Sequence, residues 1–291
     1  MVGQQLIELG IAFGLVAMLC YGVSELSASV LSRKSSPISI AFWYFLASSV
    51  VLAIIGVLFF KPPVVSAFYA MVFAAISIVS AGALIIFYKG LSAGKISIVA
   101  PVANGWAIIA VVVGAVLLHE SVGAVQIVGV ALAITGTVLV SIDFRELRKL
   151  GPKAMTDGVK YALAAMIGWG VFFTVLGILS KQFGWFWPVL IIAVGSTLFI
   201  LAYAAATKVK LALPARAMMG TALFYIAVTI IATLAYSIGT NIGYIAFVGP
   251  ISASSPFMVV LLAAALFKER MSRLQMASIA MIIIGMVAIA A

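Results

Sequence analysis

Charged side chains are scarce in this chain: Asp, Glu, Lys and Arg together make up 8% of its 291 residues. Soluble domains carry about 25%, so a water-facing surface cannot be assembled from this chain. Acids are rarer still, seven against seventeen basic residues, and there is one cysteine, Cys20, and one histidine, His119. A lone thiol excludes an internal disulfide, and one His with one Cys excludes the usual soft-ligand metal cluster. No glycine-rich loop ending in Lys and Ser/Thr occurs, so ATP hydrolysis is not the expected power source. Neither a cofactor nor an enzymatic activity is expected. Met1 to Leu9 holds no basic residue and therefore lacks the charged start of a secretory signal. Long polar stretches are missing too; the longest charged segment runs about a dozen residues around Asp143 to Lys153.

What remains is apolar: 66% of residues are hydrophobic and the mean hydropathy is +1.32. A helix crossing the hydrocarbon needs about 20 apolar residues. Ten such runs occur. The first five are Leu6–Leu31, Ile38–Phe60, Val64–Tyr88, Ile96–Leu118 and Ala124–Ile142. The second five are Thr156–Ser180, Trp185–Ala206, Met218–Thr240, Ile245–Phe267 and Leu274–Ala291. None shows the short alternating pattern of a membrane β-barrel. The expected fold is an all-α integral membrane protein with ten transmembrane helices.

Loops sort the charge. Fifteen of the seventeen basic residues follow odd-numbered helices, and only Lys61 and Lys181 lie on the opposite face. The net charge of +10, which in a soluble protein would suggest a nucleic-acid partner, is read here as topology; no nucleic acid is expected. The positive-inside rule makes the basic face cytoplasmic and leaves both termini outside.

An internal repeat follows from landmarks. A shift of 149 lays Gly90 on Gly239, Gly94 on Gly243, Pro101 on Pro250, Glu120 on Glu269, Gln126 on Gln275 and Gly136 on Gly285. A shift of 148 lays Tyr21 on Trp169 and Glu25 on Phe173. Residues 1–145 and 156–291 thus read as two five-helix repeats joined by a basic loop, 146–155. Because five is odd, the repeats enter the membrane in opposite senses, the inverted-repeat plan of secondary transporters.

The Glu after the fourth helix of each half, followed by Gln and Gly, resembles the drug/metabolite transporter superfamily of EamA type. The resemblance covers essentially the whole chain. Those residues are Glu120, Gln126, Gly129 and Gly136, then Glu269, Gln275 and Gly285; the family's Gly before Glu is replaced by His119 and Lys268. Glu25, eight residues before Arg33, is similar to the lone acid of the small multidrug resistance branch. The resemblance implies a transporter of metabolites, amino acids, nucleotide-like compounds or amphipathic drugs, with cytoplasmic termini.

Glu25 is the one acid well inside a span. An ionised side chain there costs roughly 2.5–3.5 kcal/mol on insertion scales, which calls for a cavity, a partner or a proton; snorkelling to the interface or a bond to Ser is the structural alternative. Tyr21, Ser24, Glu25, Ala28 and Ser32 recur at helical spacing and share one stripe. With Trp169, Tyr21 could hold a flat or cationic guest, or simply pack. Tyr236 is selected from the eighth helix's polar stripe, Tyr225 to Thr240. Asn104, Trp106 and Ser254 lie beside the prolines Pro101 and Pro250, the expected hinges; their polar groups line a cavity or repair the kinks. Trp43, Tyr44, Trp185 and Trp187 are expected as interfacial anchors.

The combined expectation is a monomeric secondary transporter in the cell membrane, an exporter or exchanger, with a small-molecule substrate and the lipid bilayer as partners. Proton coupling through Glu25 is expected; an uncoupled facilitator and a non-transporting scaffold are the alternatives. The charge bias predicts that a C-terminal alkaline phosphatase fusion is active and a C-terminal fluorescent fusion dark, measured in whole cells.

Overall fold

The computed structural model describes residues 2–94, 96–140, 152–267 and 271–290. The central loop with Asp143 and Arg145, together with Lys95, Lys268, Glu269 and Arg270, lies outside the described residues.

The first half consists of α1 (Val2–Ser32), α2 (Pro37–Phe59), α3 (Ala67–Ala93), α4 (Ile96–Asn104), α5 (Ala107–Val112, running into a π turn Val113–Leu117) and α6 (Ala124–Val140). The second comprises α7 (Pro152–Phe183), α8 (Trp187–Thr207), α9 (Met219–Ile242), α10 (Ile245–Ala253), α11 (Ser255–Phe267) and α12 (Arg273–Ala290). The pairs α4–α5 and α10–α11 each make one span. Nine helical stretches among the described residues are long and apolar enough to cross a membrane; Ala124–Val140 is apolar but shorter. Every apolar run read from the sequence is helical, with ends displaced by a few residues. Pro37 opens α2 and Pro188 lies in the first turn of α8, where a missing N–H costs nothing.

The packing shows how the halves relate. Helix α1 packs along α9, and α3 along α7. Each half thus sets its first span against the other's third. Likewise α2 meets α8, α5 meets α10, and α6 meets α12. That reciprocal pattern is what exchanging two inverted five-helix repeats produces. Repeat mates even touch: Ser49 and Thr197, 148 residues apart, share a 3.2 Å hydrogen bond between α2 and α8.

Glycine sets the spacing of these pairs. A Cβ on Gly94 would lie 3.1 Å from Gly158 Cα, and one on Gly243 would lie 3.2 Å from Gly10 Cα. The two contacts are repeat mates of one another. In lipid, where apolar surface alone does not drive helices together, such small residues let backbones approach and gain dispersion contact. Between α6 and α12 the approach is closer still. A Cβ on Gly129 would lie 2.7 Å from Gly285 O, and one on Gly285 would lie 2.6 Å from Gly129 O.

Both proline-bearing spans break, one turn later than the prolines. Pro101 and Pro250 sit inside α4 and α10. The helical ladder lapses at Gly105, whose N–H bonds Val102 O at 3.2 Å, and at Ser254, whose N–H bonds Ile251 O at 3.1 Å. The expected hinges are corrected accordingly: each proline removes a donor inside its helix, while the chain changes course at the matching positions 105 and 254.

Gly285→Val has backbone, not flexible side chain, in its way. It is expected to lower stability by about 1–3 kcal/mol, read from thermal unfolding in detergent. Gly220→Ala, with nothing within 4 Å, is expected to leave the unfolding temperature unchanged.

Candidate functional site

Along α1, the four-residue spacing places Tyr21, Ser24, Glu25 and Ala28 on one face, and that face looks into a cavity at the seam of the halves. From the first half, α2 adds Tyr44 and Phe45, and α3 adds Ser80, Leu84, Phe87 and Tyr88. The break between α4 and α5 brings in Asn104 and Trp106. The second half contributes Trp169, Phe172 and Phe173 from α7 and Tyr225, Thr229 and Thr233 from α9. The volume open to water centres is about 80 Å³. One water needs about 10–15 Å³ on that measure, so the space suits a handful of waters or one small organic molecule.

Glu25 is buried, 6% exposed. Its Oε1 accepts hydrogen bonds from Asn104 Nδ2 at 3.0 Å and from Ser255 Oγ at 2.8 Å. The first donor belongs to the amino-terminal half and the second to the carboxy-terminal half, so the carboxylate is held from both sides of the seam. Asn104 is steadied by its second N–H, which donates to Ala100 O at 2.9 Å. Among the described residues, Glu25 Oε2 has no hydrogen-bond partner. A buried polar atom left without a bond is costly, and Glu25 is one of the residues lining the cavity.

Aromatic rings make up much of the wall. Phe173 is their centre: Trp106 stacks on it at 4.3 Å, and Tyr21 meets it edge-on at 5.7 Å. Trp169 leans on Phe87 at 4.5 Å. On the basic-face side, Tyr88 of α3 and Tyr225 of α9 join their hydroxyls, and Tyr44 packs against Tyr225.

Five of the residues singled out in the sequence, Glu25, Tyr21, Trp169, Asn104 and Trp106, line this one cavity. Two expectations need correction. Tyr236 lies behind the wall: its hydroxyl donates to Phe173 O at 3.1 Å and its ring meets Trp106 edge-on. One helical turn nearer the middle of α9, Thr233 faces the space and accepts from Tyr21 OH at 3.2 Å. Ser254 repairs its kink instead, donating to Pro250 O at 2.9 Å and accepting from Thr137 at 3.0 Å. Its neighbour Ser255 is the residue that reaches Glu25. Tyr44, read as an interfacial anchor, is buried and lines the cavity; Trp43 beside it donates to Ala212 O at 3.0 Å. The polar stripe of α9 was a legible signal for Tyr225, Thr229 and Thr233. Ser80 and the apolar wall residues carried none.

With this geometry described, comparison with known proteins is decisive. The EamA-like transporter family matches residues 8–142 and, again, residues 156–291. The chain belongs to the EamA-like transporter family. Membership in this non-enzymatic family implies membrane transport of a small molecule by a multi-pass bilayer protein. The EamA-like chain also resembles a solved crystal structure, with a TM-score of 0.74 at 17% identity over 96% of each chain. At that identity the likeness shows the fold alone. Among curated proteins, none matches.

Asn104→Ala removes a donor from a buried carboxylate and is expected to cost about 1–3 kcal/mol of stability. Combined with Glu25→Gln, the cost is expected to be less than additive, because the two act through one bond. A double-mutant cycle on detergent unfolding measures this.

Proposed function

We propose that this EamA-like protein is a proton-coupled secondary exchanger or exporter of small organic cations with a flat, apolar body. The substrate occupies the cavity at the seam, and Glu25 alternately holds a proton and the cation while the inverted halves rock about it. One observation carries this reading. Among the described residues, the cavity's lining contains a single acid, Glu25, and no Lys or Arg. An anion would find no counter-charge there, whereas a monocation finds a carboxylate with one unengaged oxygen. Tyr21, Trp106 and Trp169 put aromatic rings in the lining, and a ring face turned to a positive charge adds about 2 kcal/mol or more of attraction where water is excluded. Hydroxyls of Thr229 and Thr233 supply orientation without charge.

Uncoupled facilitation is the second reading. It is favoured by the two hydrogen bonds already made to Glu25 Oε1, which suit a carboxyl group with a purely structural duty.

Proteoliposomes separate the two. For a small aromatic amine, wild-type uptake is expected to accelerate when the lumen is acidified. Glu25→Gln is expected to abolish that response while counterflow remains measurable. A Glu25→Gln variant that keeps both its rate and its dependence on the pH gradient overturns the coupling. A protein that shows no saturable thermal stabilisation by amines, amino acids, nucleotides or quaternary drugs is a scaffold rather than a carrier.

A further inference from the structure

Glu120 follows a backbone path with two irregularities. The end of the fourth span winds into the π turn Val113–Leu117, and His119 then takes a left-handed conformation with φ of 52°. Left-handed backbone is uncommon outside glycine, and π turns cluster at functional places. Together they turn the Glu120 side chain back into the protein, where it is 4% exposed. Gly114 makes room for it: a Cβ there would come within 2.6 Å of Glu120 Oε2.

Three donors from the other half converge on this carboxylate. Ile245 N–H donates to Oε1 at 3.0 Å and Ala246 N–H to Oε2 at 2.9 Å, closing the start of α10. Lys181, at the end of α7, donates to Oε1 at 2.7 Å. Charge-assisted bonds of this kind are about twice as strong as neutral ones. Lys181 is also one of only two cations on the lysine-poor face, and its side chain is 36% exposed. Water therefore reaches the cation but not its partner.

Between this network and the cavity lies the layer Trp106–Phe173–Tyr236. On the opposite side, toward the basic face, the halves are joined across the cavity by the neutral Tyr88–Tyr225 pair. Among the described residues, the closure at the lysine-poor face is ionic with two backbone caps, whereas toward the basic face the halves are joined by neutral bonds such as Tyr88–Tyr225 and Trp43 to Ala212 O.

We infer that Glu120, Lys181 and the amino-terminus of α10 form a latch that holds the lysine-poor face shut. The inference rests on alternating access as proposed above but not on the substrate or on Glu25. For the halves to part at that face, the carboxylate must leave Ile245 and Ala246, and its pairing with Lys181 must give way to water. Breaking the latch shifts the balance toward opening at the lysine-poor face.

The test reads sidedness without any substrate. In full-length protein with Cys20→Ser, a reporter cysteine replaces Ser80 in the cavity wall. Labelling by a small charged methanethiosulfonate is followed in vesicles of both orientations, with Lys61→Cys identifying the lysine-poor face. Lys181→Met and Glu120→Gln are each expected to raise labelling from that face at least about fivefold, the low end of coupled equilibria, and to slow labelling from the basic face. Lys181→Arg is expected to behave as the parent. Unchanged labelling from both faces in Lys181→Met overturns the latch, whether or not stability falls, and reduces the network to a helix cap. If Glu120→Gln does not fold, Lys181→Met decides, because it leaves both backbone donors on Glu120. Faster labelling without any parallel change in counterflow supports the latch and counts against the transport reading instead, so the two fail separately.

Discussion

Inside hydrocarbon every polar group must find its partner within the protein, and that constraint organises most of what this chain does. Hydroxyls along the spans return to carbonyls one turn back, as Ser48 does to Tyr44 O at 2.7 Å and Thr229 to Tyr225 O at 2.6 Å. Among the described residues, the two broken spans are covered at their breaks by the other half, Gly105 by Met166 and Ser254 by Thr137. Carboxylates are the severest case. Glu120 is satisfied across the seam and Glu25 is bonded across it through Oε1, so the acids that cost most to bury also join the repeats.

The same rule explains why the seam is polar at two depths and aromatic between them. Near Glu25 the donors are side chains, Asn104 and Ser255, each set beside an interruption in its helix. Near Glu120 the donors are a backbone terminus and a lysine. Phe173, Trp106 and Tyr236 fill the intervening space with rings whose edges and faces satisfy each other. The cavity ends against that layer, with the carboxyl group of Glu25 in its lining.

Much of the architecture was legible because it depends on length and spacing. Ten apolar runs, an odd number per half and six paired landmarks lead to the inverted repeats, and the matched glycines Gly94 and Gly243 turned out to be matched backbone contacts. Glu25, Tyr21, Asn104, Trp106 and Trp169 could be chosen because a polar or aromatic residue in a span stands out. Tyr236 and Ser254 were misplaced for a shared reason. Proximity to a proline or glycine says that a helix bends nearby, but one residue of rotation, about 100°, decides whether a hydroxyl faces the space or the carbonyl behind it. The role of Glu120 was hidden because its partners include two backbone N–H groups more than a hundred residues away, which no side-chain pattern announces.

Duplication usually delivers its chemistry twice, yet here Phe173 stands where a second Glu25 would be. On the proposed reading only one elementary charge can be neutralised at the centre in each cycle. A monovalent guest and a proton then exclude one another, and their exchange carries no net current. Membrane voltage does no work on such a cycle; the acidity difference alone drives it.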